Sequence, residues 1–363
     1  MGGSNSHGSI LVQLENSSSK GNEEITGIVH ISLKEPFPPS TLYLIFKGKE
    51  QTHWTENHKE YWTDSKGKRH SRTHIEHIHG KHLLCNYKHP ICVWNTEIQP
   101  GGYSIPFSFI IPGGLPGSFY FEDYQKDAAI VYKFHARLIG NNNKKITGKS
   151  LINIELNSDF NIESITKRKT AEMKVWCFLK KGRCKINAGF PQNAYSPNQI
   201  ATVMVEVDNT DSMLPVKAII CRLKYNIKLT SNSGKTTLSQ RTLIKEEMPV
   251  NIDLGQALLN NHAVEIFLDL NHHSEILQKM YSTRGNIIEC IYTIEAEAEM
   301  AGNCMCCGEY PQVEVTMNII PNMPIPPPSV PEAPENWNPQ LLKEISITYD
   351  KESQPNEITA ELI

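Results

Sequence analysis

The residues of this chain best equipped for chemistry fall into a few clusters of cysteine, histidine and lysine. Cys304-Met305-Cys306-Cys307 sets three thiols close together, and Cys177 and Cys184 flank the segment Lys180-Lys181-Gly182-Arg183, read as a turn. Grouped thiols can hold zinc or accept an acyl chain. The Cys-x-Cys-Cys spacing is not the Cys-x2-Cys of structural zinc sites, so acylation and idle thiols stand beside metal binding as readings. Met1-Gly2-Gly3-Ser4-Asn5-Ser6 fits the N-myristoylation pattern with Gly2 as acceptor, although a flexible Gly/Ser start looks the same. Gly2, Cys304, Cys306 and Cys307 are therefore the lipidation candidates. His53, His58, His70, His74, His77, His79, His82 and His89 share one stretch with Lys59, Lys66, Lys68, Arg69 and Arg72. His77-Ile78-His79 puts two imidazoles on one strand face, as a metal pair would require. The block reads first as a long solvated hairpin, and clustered histidines would also gain charge at mildly acidic pH. Pro328-Ser329-Val330-Pro331 fits Pro-x-x-Pro, which proline-reading domains accept, or serves as a spacer.

Motifs for the common enzyme classes are missing. Gly148-Lys149-Ser150 and Gly234-Lys235-Thr236 lack the upstream glycine of a phosphate-binding loop and read as hairpin turns. There is no His-Glu-x-x-His, no Gly-x-Ser-x-Gly and no dinucleotide fingerprint. The expectation is a non-enzyme with no catalytic, cofactor-binding or metal residues and no cofactor. The 363 residues carry 36 basic and 39 acidic groups, a net charge of -3, which disfavours nucleic-acid binding. No apolar run approaches the roughly 18 residues of a membrane span. The polar first residues do not read as a secretory signal. With 9 cysteines, an odd number, reduced thiols in the cytosol are expected.

The elements that must position these groups are strands. Tyr292, Ile294, Ala296 and Ala298 alternate with Thr293, Glu295, Glu297 and Glu299, and Val203, Val205 and Val207 with Thr202, Met204 and Glu206. Gly, Pro, Asn and Asp separate such runs, as in antiparallel sandwiches. Helical periodicity is scarce, with one short segment at Glu275–Tyr281. The order of strands and turns after about residue 173 repeats that near the start. The chain is read as all-β, with two tandem antiparallel β-sandwich domains. The expected divisions are a flexible start over 1–8, an N-domain over 9–156, a linker over 157–172, a C-domain over 173–320 and a Pro-rich, mostly disordered tail over 321–363.

The series Tyr103-Ser104-Ile105-Pro106-Phe107-Ser108-Phe109, then Leu115-Pro116-Gly117-Ser118-Phe119, then Ile130–Leu138, resembles the N-domain signature of the arrestin family. In the second half, Tyr195-Ser196-Pro197, Val205-Glu206-Val207-Asp208-Asn209 and Val216–Leu223 are similar to its C-domain. The resemblance covers about residues 8–320 and is nearest to the arrestin-domain-containing branch. Asn198-Gln199 stand where the family often has Gly-Glu. The loop matching the receptor-coupled branch's acidic central loop, Asn271–Gly285, carries only Glu275 as an acid, which argues against phosphate-triggered activation. The tail lacks the Pro-Pro-x-Tyr motif that recruits ubiquitin ligases.

The resemblance implies a cytoplasmic adaptor, peripheral at the plasma membrane or endosomes. It would bind cytoplasmic tails of membrane proteins on concave sheets and exposed edges and couple them to trafficking machinery. A retromer-like structural coat subunit shares the fold, and a metal-binding protein or enzyme using the His-rich or Cys-rich loops is the remote alternative. The resemblance also puts the Cys304–Cys307 turn and the basic turn of Lys180, Lys181 and Arg183 at the C-domain tip, the edge that arrestins press against membranes.

Overall fold

The computed structural model describes residues 3–5, 7–141, 144–155, 163–176, 178–302, 310–321 and 337–347. Gly2, Cys177, Cys304, Cys306, Cys307, Pro328 and Pro331 lie outside these described residues. The first sandwich pairs two sheets. One runs β1 (Gly3–Asn5), β2 (Gly8–Leu14), β4 (Glu24–Leu33) and β7 (Gly101–Ile110). The other runs β3 (Ser18–Lys20), β10 (Lys145–Glu155), β9 (Lys126–Gly140), β5 (Ser40–Thr63) and β6 (Arg69–Trp94), with β8 (Phe119–Asp123) also on β9. The second sandwich repeats the plan. Its first sheet is β11 (Ile165–Val175), β12 (Leu179–Phe190), β14 (Ile200–Asp208) and β17 (Ala257–Leu258), with β18 (Val264–Asp269) also on β14. Its second is β13 (Ala194–Tyr195), β21 (Gln312–Ile319), β20 (Ile288–Met300), β15 (Val216–Thr230) and β16 (Thr236–Ile252), with β19 (Thr283–Arg284) on β20.

The alternation read from sequence becomes burial. Along β14, Ala201, Val203, Val205 and Val207 point into the core, and along β20 so do Tyr292, Ile294, Ala296 and Ala298. Phe46, Phe109 and Phe134 pack with ring centroids 5.1–5.4 Å apart at the centre of the first sandwich. Such tilted aromatic contacts add to simple area burial. The only α-helix among the described residues is Ser274–Leu277, one turn where Glu275–Tyr281 was expected.

One expectation about the segments flanking the second sandwich needs correction, and the other gains detail. The segment read as linker includes the start of β11, which pairs antiparallel with β12 from Ile165↔Phe190 onward. Its Lys167-Arg168-Lys169 run reads as loop in sequence, but β11 is an edge strand, and charge is what guards an edge against stray pairing. The tail is not uniformly without structure. Gln340–Leu341 (β22) and Ile345–Ile347 (β23) pair parallel with β7, with Ile345 opposite Phe107 and Ile347 opposite Phe109. Ile347 is buried there. Trp337 Nε1 donates to His30 Nδ1 at 3.0 Å and lies 3.3 Å from Ser104 Oγ. Proline content hid this strand because the tail's apolar residues are few and widely spaced.

The sandwiches meet along the β5–β6 hairpin. Its arms pair from Ser40↔Trp94 to Thr63↔Arg69, far beyond the sandwich. Near its base, Glu50 of β5 is fully buried. Its carboxylate accepts hydrogen bonds from the backbone N–H of Asn286, at 2.9 and 3.0 Å, and of Ile287, at 2.8 Å. A Cβ on Gly285 would lie 1.6 Å from Glu50 Oε1, so only glycine admits the carboxylate. Thr52 Oγ1 donates to the Thr230 carbonyl at 2.9 Å, and the Lys81 N–H to Asn232 Oδ1 at 2.7 Å. Lys235 bridges to Glu76, and Arg241 to Asp123.

Burial raises the pKa of Glu50 above its usual 4.5, opposed by its backbone donors and by His82. A folded-state pKa raised above the unfolded value means this group favours folding more as pH falls from the raised value toward 4.5. Glu50→Ala would leave two buried N–H donors orphaned, costing about 2–3 kcal/mol. Glu50→Gln keeps an acceptor and should cost less at neutral pH, with wild type gaining on it as pH falls. Urea unfolding of the three proteins at neutral and mildly acidic pH checks this; an alanine variant as stable as the glutamine one would contradict it.

Candidate functional site

The outward face of the β10–β9–β5–β6 sheet is dominated by cations. Lys47 and Lys133 are directly paired across β5 and β9, and His135 and Lys149 across β9 and β10. Lys49 and Arg137 continue the two central rows, with Lys81 opposite Gln51 and Lys88 opposite Ile45 on β6. Period-two geometry explains the arrangement: in each strand the alternate residues, such as Phe134 and Phe46, fill the core, so the intervening ones must share the outer face.

The electrostatics match that crowding. Burial lowers the pKa of Lys49, and then Lys47, Lys81 and Lys149 lower it further. Lys133 is lowered by burial and then by Lys49, Lys149, Lys47 and Arg137. His135 is pushed down to about 4, first by burial and then by Lys133, Arg137, Lys149 and Lys47. Every charge that shifts these groups is positive. Like charges directly opposite on a sheet are destabilising, so the face carries positive charge that its own neighbours do not relieve.

The second sandwich treats the same situation differently. On its β15–β20 pair, Arg222 sits 2.6 Å from both Glu295 and Glu297, and Lys224 2.6 Å from Glu295. Cations and acids there alternate and neutralise each other. The excess of positive charge belongs to the N-domain face. Sequence reading missed it because its members are spread from Lys47 to Lys149; the signal was lysine recurring at alternate positions, as in Lys47/Lys49 and Lys133/His135/Arg137.

A second feature lies at the far end of the C-domain. Val175 pairs with Leu179, so the β11–β12 turn spans Trp176 to Phe178, and Trp176 takes a left-handed φ of 55°. Lys180, Lys181 and Arg183 therefore stand on β12 beside the turn rather than in it. The reason is a bulge: Gly182 has φ 85°, and a Cβ there would meet the Asp211 carbonyl at 1.9 Å. The turn is apolar and exposed. Trp176 is 74% accessible, Phe178 76% and Met213 of the adjoining loop 65%. Met213 N–H donates to the Lys181 carbonyl at 2.8 Å, joining that loop to β12. Lys180 is 2.7 Å from Glu172, so part of its charge is already answered. The sequence signal was the Trp-Cys-Phe-Leu run inside otherwise charged strands.

Cys184 is buried, and burial pushes its thiol up to about 12. It is an inert core residue and not part of an exposed thiol cluster. Among the described residues no helix is long and apolar enough to cross a membrane.

Two β-sandwiches of repeated plan, joined along a long hairpin and a buried carboxylate, define a protein of the two-domain arrestin class. Residues 10–161 match the family described as "Arrestin (or S-antigen), N-terminal domain", and residues 180–323 match "Arrestin (or S-antigen), C-terminal domain". The chain belongs to the arrestin-domain-containing family. It is similar to "Arrestin domain-containing protein A" of Dictyostelium discoideum, with 27% identity over 242 residues. That alignment covers 64% of this chain and 39% of the relative, so the chain spans about two-fifths of its length.

The mutual repulsion across the basic face is testable at His135. Lys133→Met removes the cation that bears most on it after burial, so the His135 pKa should rise from about 4. A histidine NMR titration reads this directly. An unchanged value would show that burial alone sets the titration and that the lysines do not act together.

Proposed function

We propose that this protein is a non-enzymatic cytoplasmic adaptor that binds acidic cytoplasmic segments of membrane proteins and couples them to endocytic or endosomal trafficking. The observation that carries this reading is the cluster of cations on the sheet face, Lys47, Lys49, Lys133 and Lys149, gathered around His135. An extended acidic segment suits it by two physical routes. Its carboxylates meet the half-buried ammonium groups of Lys47, Lys49 and Lys133, where charge-assisted hydrogen bonds are strong. Its backbone can add to the outer strand β6, which brings alternate side chains over Lys88 and Lys47. The β7 edge of the other sheet is already taken by the chain's own tail. The acids come from the segment's own sequence, so phosphorylation is not required for binding.

The C-domain tip would rest on the membrane that carries the cargo. Trp176, Phe178 and Met213 supply an apolar contact, aromatic side chains favour the headgroup level, and each nearby Lys or Arg adds roughly 1 kcal/mol beside anionic lipid. Gly2 myristoylation and acylation of Cys304, Cys306 or Cys307 would add anchors, since one chain alone holds a protein only marginally. Pro328 and Pro331 would offer a docking point for a proline-reading partner.

Binding of a fluorescent Glu-rich peptide should weaken at least tenfold, about 1.4 kcal/mol, in the double variant Lys47→Glu/Lys133→Glu, and should fall with added salt. Retention of wild-type affinity would remove the basic face from the proposal. Separately, Trp176→Ser/Phe178→Ser should reduce co-sedimentation with phosphatidylserine vesicles severalfold while peptide binding stays intact. Equal sedimentation of variant and parent would exclude the tip as the membrane contact. Purification from native cells separates the adaptor from a coat subunit: the adaptor comes alone, the coat subunit with stoichiometric partners.

A further inference from the structure

The hairpin histidines are arranged in a pattern with its own chemistry. His53 on β5 is directly opposite His79 on β6, and His77 lies two residues along β6 on the same face. On the other side of β5, His53 is directly opposite Asp127 of β9. One row across three strands thus reads His79, His53, Asp127, with His77 diagonal to it. His53 Nδ1 is 2.8 Å from Asp127 Oδ1. His53 Nε2 is 3.3 Å from His77 Nδ1. The His79 ring lies against His53 with centroids 4.6 Å apart.

We propose that His53, His77 and His79 form a zinc site on the outer face of the hairpin, with Asp127 as the partner that orients His53. His53 Nε2 and His77 Nδ1 are hydrogen-bonded at 3.3 Å between nearly parallel rings; zinc would replace that hydrogen bond once the rings turn about their side-chain torsions to bring both lone pairs to one metal at about 2.0–2.1 Å. Asp127 fixes the proton on Nδ1 of His53 and leaves Nε2 with its lone pair toward the metal, the usual outer partner of a zinc-bound histidine. His79 completes the set by rotation about its own side-chain torsions, and water takes the fourth position on this accessible face. The metal would tie together three strands next to the seam with the C-domain, where the His79 carbonyl accepts from the Asn232 N–H at 3.1 Å.

The opposite face of the hairpin offers a competing group, Glu56, His58 and Glu76, whose ligand atoms lie within 4.8 Å of one another as they stand. There Lys235 Nζ is 2.9 and 2.8 Å from the two oxygens of Glu76. A fixed ammonium ion repels an incoming cation and occupies its ligand, so the geometry favours the histidine face.

The test is zinc titration of the metal-stripped full chain in competition with a chromophoric chelator, repeated with cobalt for its absorption spectrum. Cys304→Ser/Cys306→Ser/Cys307→Ser serves as background so that thiols do not contribute. The expected result is one site per chain with a tetrahedral cobalt spectrum. His53→Ala, His77→Ala and His79→Ala should each weaken it at least tenfold, and Asp127→Asn about 10- to 100-fold. His58→Ala and Glu76→Gln should leave it unchanged. His77 and His79 are exposed, and an unchanged circular dichroism spectrum confirms that their variants fold. Binding that survives His77→Ala and His79→Ala, or that disappears with His58→Ala, would overturn the proposal.

Discussion

At the junction of the two sandwiches, a carboxylate without access to water is held by backbone donors. Glu50 comes from the N-domain and its donors, the N–H groups of Asn286 and Ile287, from the C-domain. A buried carboxylate deprived of such partners is strongly unfavourable, so the two domains gain together or lose together. Gly285 is tied to the same requirement, because any side chain there would fill the carboxylate's position. The direction of this contact is also informative. The loop over Asn271–Gly285 is nearly free of acids, and the acid at the seam is supplied from the other domain. At its buried centre the junction sets one carboxylate against peptide dipoles, while the opposed charges of Lys235–Glu76 and Arg241–Asp123 lie at its exposed rim. An incoming phosphate therefore finds no buried ion-pair network to break at this point.

Charge is distributed unequally between the two domains, and the inequality has a cost that points to use. On β15 and β20, Arg222, Lys224, Glu295 and Glu297 satisfy one another. On the N-domain face, burial and then neighbouring cations lower the proton affinity of Lys49, Lys133 and His135. Groups so desolvated and mutually repelled raise the energy of the unliganded protein. A polyanion laid across them relieves that repulsion. The apolar tip at Trp176 and Phe178 adds a second exposed cost on the other domain.

Much of the fold was legible in the residues. Period-two runs such as Val203–Val207 and Tyr292–Ala298 mark strands because each buries one face. What stayed hidden has physical reasons. The β11 edge strand carries Lys167, Arg168 and Lys169 outward, and an edge strand with one apolar face of only Ala171 and Met173 has little alternation to show. The tail strand at Ile345–Ile347 depends on an acceptor edge far away in sequence. The basic face is a tertiary object assembled from strands distant in the chain, so no local window contains it. The turn of Lys180 to Arg183 was displaced because Gly182 makes a bulge there rather than a reversal. By contrast, the histidine-rich stretch was visible, and His77-Ile78-His79 was recognisable as a pair; Asp127 and His53 became its neighbours only through strand register.

The pairing of the tail with β7 also orders events during synthesis. β7 is complete once Ile110 has been made, but its outer edge waits for Ile345–Ile347. At the usual 5–20 residues per second, the ribosome needs roughly 10–50 seconds to reach that strand. Through this interval the N-domain can fold around its own core while one row of backbone donors and acceptors stays open. A nascent chain in that state is open to stray strand pairing with its neighbours on a polysome. The strand that ends that exposure lies more than 230 residues downstream of the edge it covers.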